Sequence, residues 1–140
     1  MDLVVDASIA FKWLVTEADS EAAVSLLQNH DLIAPDVMLA ECRNAALTHV
    51  RRGTISIEQA KQAERDLEAL QLHTLPSTPF LTHAFMLALE LSHPIYDCIY
   101  LAAAIASDRV LVTADARFAA KVENSGTAKN RIRLLASPQI

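Results

Sequence analysis

The sequence opens with Leu3-Val4-Val5, a short β-branched apolar run that ends abruptly at a carboxylate, Asp6. Such a run reads as a strand buried on both faces, because a strand with one wet face would alternate polar and apolar residues. The same grammar recurs along the chain. Asp31-Leu32-Ile33-Ala34 before Pro35, His73-Thr74-Leu75 before Pro76, Arg109-Val110-Leu111-Val112-Thr113 and Ile132-Arg133-Leu134-Leu135 read as four further strands. Between them lie helical stretches. The first spans about Ala7–Leu14, and the second Ser20–Asn29, with Ala23, Leu26 and Leu27 on one stripe. Asp36 reads as the N-cap of a helix that runs to about Arg52 and stops at Gly53. Ser56 caps another to about Leu70, with Glu58 and Gln59 in its first turn. Thr78-Pro79 opens the next, which runs until Pro94 interrupts. A very apolar helix follows over Tyr96–Ala106, and Asp115 caps a short one through Lys121. Strands alternating with single or paired helices predict an α/β fold with a mostly parallel sheet covered on both faces.

In open sheets of this kind, ligands bind off the carboxyl ends of the strands. Asp6 directly follows the first strand, with Ser8 two residues on. Asp115 follows the fourth, with Thr113 at the strand tip. Glu41 lies in a helix of otherwise small and apolar residues and shares a face with Asn44. Asp97 opens the helix whose next nine residues carry no charge. Each acid has an ordinary explanation: Asp97 and Asp115 as helix N-terminal acids, Asp6 as a turn residue, Glu41 as a solvated side chain. The apolar surroundings of Asp6 and Glu41 strain that explanation, since a lone buried carboxylate is costly. For Asp115 a helix cap accounts for the residue equally well.

Taken together, the four acids imply a counter-charge. Two carboxylates about 5 Å apart repel by roughly 3 kcal/mol at an effective dielectric of ~20. Hard divalent cations, Mg²⁺ or Mn²⁺, take oxygen ligands and retain water. Such an ion acidifies water and offsets charge building on phosphoryl oxygens, which suits phosphodiester hydrolysis. Ser8, Asn44 and Thr113 are placed to orient the carboxylates by hydrogen bonding. Lys12, Arg43, Arg117 and Lys121 are candidates for steering a polyanion, although the formal net charge of −5 gives no global sign of nucleic-acid binding. The basic residues gather from Arg109 onwards, where six of them face only Asp115 and Glu123.

Other chemistries fit poorly. A phosphotransferase with an Asp nucleophile after the first strand, as in the haloacid-dehalogenase group, wants a second Asp where Ser8 stands. Glycine-rich phosphate loops are excluded, because Gly53 and Gly126 are the only glycines. His30, His49, His73, His83 and His93 lack zinc-ligand spacing and read as surface or capping residues. Cys42 and Cys98 have no redox or zinc spacing and read as reduced core thiols of a cytoplasmic protein. At 140 residues, 52% hydrophobic and 21% charged, the chain suits one globular domain over residues 1–140, with neither a membrane span nor a secretory signal. Phe11, Trp13 and Leu14 are core residues or part of an association surface, with core the preferred reading.

Four blocks resemble a known family. Val4-Val5-Asp6-Ala7-Ser8-Ile9-Ala10-Phe11-Lys12-Trp13 is similar to the opening of PIN-domain toxins of the VapC type. Ala34-Pro35-Asp36 leading to Ala40-Glu41-Cys42-Arg43-Asn44 resembles the family's second acid and its trailing Asn. Tyr96-Asp97-Cys98-Ile99-Tyr100-Leu101-Ala102 and Leu111-Val112-Thr113-Ala114-Asp115-Ala116-Arg117-Phe118 resemble the third and fourth acidic motifs. The blocks stand in the family's order and span nearly the whole chain. One departure is Cys98, where Ala is more usual. The resemblance implies a three-layer α/β/α fold with a five-stranded parallel sheet ordered 3-2-1-4-5. It implies Mg²⁺- or Mn²⁺-dependent cleavage of RNA leaving a 5′-phosphate and a 3′-hydroxyl, with Asp6, Glu41, Asp97 and Asp115 as the metal-site acids. It also implies a homodimer neutralised by a cognate antitoxin. The alternative is a PIN-like scaffold that binds RNA or protein without cutting.

Overall fold

A computed structural model describes residues 2–135. Five strands, β1 (Asp2–Val5), β2 (Asp31–Pro35), β3 (His73–Leu75), β4 (Val110–Thr113) and β5 (Ile132–Leu134), form one sheet in the order β3-β2-β1-β4-β5. Every pairing is parallel. The connections carry α1 (Ala7–Leu14), α2 (Ser20–Asn29), α3 (Val37–Arg51), α4 (Ile57–Ala69), α5 (Leu81–Leu91), α6 (Ile95–Ala106) and α7 (Ala116–Ser125). The result is the three-layer α/β/α arrangement with the expected strand order.

β1 is central, and its Leu3, Val4 and Val5 are fully buried. Full burial of such a side chain contributes about 2 kcal/mol. α6 packs against β1, β2 and β4. Its residues Cys98 to Ala104 are all buried, and the run Ala102-Ala103-Ala104 lets the helix approach closely. Both cysteines are free and buried, as expected. Burial pushes their thiols up, to about 12 for Cys42 and about 11 for Cys98, so they remain neutral packing groups. Phe11 is buried, and the Trp13 indole donates to Ala23 O at 2.8 Å, so the first helix uses its aromatic residues for packing.

The helix signals behave as read, with three differences. Ser56 and Gln59 form a reciprocal capping box on α4, and Gly53 (φ +74°) follows α3 in a left-handed turn. Asp36, expected to cap α3, has helical backbone angles and makes no side-chain cap. Its carboxylate instead accepts from the Ser77 amide (3.0 Å) and hydroxyl (2.7 Å), tying the ends of β2 and β3 together. Thr78–Phe80 forms a single 3₁₀ turn before α5, and α7 continues past Lys121 to Ser125.

The parallel register decides where the site lies. Val5 pairs with Val112, so the next residues on each strand, Asp6 and Thr113, are level at the carboxyl edge of the sheet. Among the described residues these two are the buried polar side chains, apart from the hydroxyl of Tyr100.

Candidate active site

Asp6 ends β1 and starts α1, and its carboxylate does the work of a cap. Oδ1 accepts from the Ile9 amide at 3.2 Å and from the Ser8 hydroxyl at 2.5 Å. The Thr113 hydroxyl, arriving from β4, is a further donor to the carboxylate. Ser8 Oγ also accepts from the Ala114 amide at 2.9 Å, and Thr113 Oγ1 accepts from the Asp115 amide at 3.1 Å. The two strand-end turns are thereby sewn to each other through Asp6. The residue is only 5% exposed. Burial pushes its carboxyl up to about 6, aided by the negative charge of Asp97 and opposed by the three hydrogen bonds.

Glu41 is half-buried on α3 and meets α6 through Tyr100, whose hydroxyl donates to Oε1 at 2.5 Å. Burial raises the Glu41 carboxyl, the Tyr100 bond lowers it, and Asp97 raises it again. The Tyr100 hydroxyl is held protonated by its own burial and by Glu41, so it is a committed donor. Asp97, in the first turn of α6, faces both other acids electrostatically, and its Oδ2 lies 2.6 Å from His93 Nε2. Asp6, Glu41 and Asp97 thus share one neighbourhood.

Asp115 behaves differently. It is exposed, and its Oδ1 caps α7 by accepting from the Phe118 amide at 3.1 Å. Among the described residues, no three His, Cys, Asp or Glu side chains close into a cage for an ion. The acids fit a hard cation that keeps much of its water better than one enclosed by protein.

The supporting residues divide in the same way. The Ser8 and Thr113 hydroxyls contact the Asp6 carboxylate. Asn44 is exposed and lines a groove of about 400 Å³ with Ser8, Lys12 and Glu41, but the hydrogen bond to Glu41 comes from Tyr100. Of the basic candidates, Lys12 is tied to Asp19 (2.8 Å) and Glu17 (3.5 Å). Arg43 is turned outward to Glu64 (2.7 Å) and Glu68 (2.5 Å) on α4. Lys121 reaches Ser92 O and His93 Nδ1, while Arg117 is exposed and makes no ion pair among the described residues. Arg117 and Lys121 line one face of the α5–α7 groove. A more apolar cleft between α3 and α4, lined by Ala46, Leu47, Val50, Ile57 and Leu67, contains none of the four acids.

His93 and Tyr100 are the residues that sequence reasoning missed. His93 is no surface histidine: its side chain is 13% exposed and lies against the Phe118 ring with centroids 4.6 Å apart. His49 likewise stacks on Phe11 at 4.9 Å. Tyr100 had a signal, being three residues after Asp97 and so on the same helical face.

The sequence model of the PIN domain matches residues 3–124, a span that includes all four acids. The chain belongs to the PIN-domain family. Among relatives of this PIN domain, Ribonuclease VapC3 of Pyrobaculum aerophilum is 32% identical over 126 residues, covering 86% of this chain and 95% of the relative. The crystal structure of PAE2754 from Pyrobaculum aerophilum superposes with a TM-score of 0.70 at 20% identity, covering 96% of this chain and 90% of that one. VapBC2 from Rickettsia felis, solved bound to a DNA fragment from its promoter, superposes with a TM-score of 0.63 at 14% identity, covering 97% and 100%. The resemblance to VapC-type PIN domains drawn from the four motifs is therefore borne out, and so is the fold. No helix among the described residues is long and apolar enough to cross a membrane.

Proposed function

We propose that this PIN domain is a Mg²⁺- or Mn²⁺-dependent endoribonuclease and the toxin of a toxin–antitoxin pair. The observation that carries the reading is Asp6, a buried carboxylate at the carboxyl edge of the sheet, pushed up to about 6 and facing Asp97. A protein has little reason to bury an acid beside a second acid and a half-buried third unless positive charge joins them. The donor set is all oxygen, which suits a hard divalent ion. Asp6, Glu41 and Asp97 would hold it, with Asp115 reaching it directly or through water. Once bound, the ion supplies acidified water and charge compensation at the scissile phosphate. The chain's own part is orientation: Ser8 and Thr113 fix Asp6, and Tyr100 fixes Glu41. Arg117 supplies a cationic contact for the RNA backbone, since Lys12 and Arg43 are engaged in ion pairs and Lys121 is held by Ser92 and His93.

RNA as substrate is supported by the relative named Ribonuclease VapC3, and an antitoxin partner by the solved VapBC2 complex of the same fold. A homodimer is supported by α5, which exposes Phe85, Met86 and Leu89 by 54–61%. The deciding experiment incubates purified protein with total RNA in Mg²⁺, Mn²⁺ or EDTA and maps the cut ends. Metal-dependent cuts bearing a 5′-phosphate are expected. RNA binding that persists in EDTA, with no cleavage in Mn²⁺, would instead identify a non-catalytic scaffold.

A further inference from the structure

His93 occupies the turn between α5 and α6, after Ser92 in a left-handed conformation (φ 50°) and before Pro94. Three contacts fix its ring. Nε2 lies 2.6 Å from Asp97 Oδ2, Nδ1 lies 3.3 Å from Lys121 Nζ, and one face rests on Phe118. Lys121 is itself located by a 3.2 Å bond to Ser92 O. Both Lys121 and Phe118 belong to α7, whose first turn is set by the Asp115 cap.

The chemistry of the donors assigns the tautomer. An ammonium group has donors and no acceptor. Facing Lys121, Nδ1 must therefore accept, which leaves the single proton of a neutral imidazole on Nε2, pointing at Asp97. A ring with the proton on Nδ1 would set donor against donor on one side and lone pair against carboxylate on the other.

We infer that His93, locked by Lys121 as the Nε2–H tautomer, is a positioning residue for Asp97. Its contact with Oδ2 fixes the orientation of the Asp97 carboxylate, which would help hold the cation. The inference rests on the metal-site reading above. Hydrogen-bonded partners behind a ligating group orient that group, and their removal commonly costs 10- to 100-fold in metal affinity. Lys121 then acts through an imidazole and need not touch substrate to matter.

The test is a Mn²⁺ titration without RNA, following the free ion by electron paramagnetic resonance, on wild type, His93→Leu, His93→Gln and Lys121→Met. His93→Leu keeps the packing against Phe118 but removes the donor, and its Mn²⁺ affinity is expected to fall ~10-fold or more. The amide of His93→Gln can still donate to Asp97 and should restore most of the loss. Lys121→Met should fall between them. In parallel, ¹⁵N NMR of the wild-type imidazole should show the proton on Nε2. Wild type binding Mn²⁺ while His93→Leu binds equally well would overturn the positioning role and leave the site reading intact. A proton on Nδ1 in wild type would overturn it as well. Wild type taking up no Mn²⁺ would sink the site reading and this inference with it.

Discussion

Asp6 and Asp115 occupy equivalent places in two copies of one local design. Each follows a buried strand, each begins a helix, and each uses Oδ1 to accept from the amide three residues on: Ile9 at 3.2 Å, Phe118 at 3.1 Å. The strands β1 and β4 are neighbours in register. Yet Asp6 is buried and faces the Asp97 charge, with its carboxyl displaced to about 6, and Asp115 is exposed. Local sequence makes both residues caps. Only the chain packed around Asp6 converts a cap into a strained carboxylate, and the strain is what an ion can relieve.

The largest expected effect tests that difference directly. Asp6→Asn preserves shape and the cap acceptor but removes the charge. Losing a group that merely orients a ligand costs 10- to 100-fold, so losing the ligand should cost ~100-fold or more in RNA cleavage under Mn²⁺. Asp115→Asn should cost distinctly less. Equal losses in the two variants would erase the distinction and make Asp115 a full partner.

Stability against pH gives the next effect. The Asp6 carboxyl titrates at 3.8 in the unfolded chain and at about 6 in the folded one, so the folded protein holds the proton more tightly. Its contribution is therefore fully present below about pH 4 and is lost as pH rises through about 6, a change of about 3 kcal/mol without metal. In EDTA, wild type and Asp6→Asn should melt alike at low pH, and the variant should melt higher at neutral pH. Asp97→Asn should also melt above wild type in EDTA, because Asp97 charges against both neighbours. Mg²⁺ should raise the wild-type melting temperature at neutral pH. Melting curves indifferent to both metal and Asp6→Asn would show that the carboxylates do not strain the fold.

This contrast also shows what the sequence could reveal. Strand and helix limits were legible because short β-branched runs, Pro35, Gly53 and the Ser56–Gln59 box are local signals. The acids were legible as strand-end and helix-start residues. What stayed hidden depends on contacts distant along the chain. Asp36 looks like a cap, but its partner is Ser77, 41 residues on. Arg43 looks like a cation beside Glu41, yet α4 turns it outward. His93 is four residues before Asp97, a spacing that means contact on a continuous helix, but Ser92 and Pro94 make the segment read as a break. The fold then rebuilds the contact from the turn itself.

Tyr100 offers a smaller and more selective test. Replacing it with Phe removes the hydroxyl and leaves the half-buried Glu41 carboxylate without its donor, at an expected cost of about 1–2 kcal/mol in urea unfolding without metal. In a Glu41→Gln background the same change should cost less, because an amide carries no charge to satisfy. A double-mutant cycle with no coupling would show that Tyr100 is packing alone.

The smallest effect resolves what Asp115 contributes. Asp115→Ala removes the cap on α7 and should destabilise the protein by about 1 kcal/mol, whereas Asp115→Ser keeps a capping oxygen and should recover most of that. Cleavage separates the two roles, because a serine hydroxyl replaces the cap but not a carboxylate. If Asp115→Ser restores stability and cleavage together, Asp115 acts by holding α7, and with it Phe118 and Lys121, against His93. If it restores stability alone, the charge itself is used. In that case the two Asp residues differ in burial but not in purpose, and an ion at the sheet edge would draw on both strand ends.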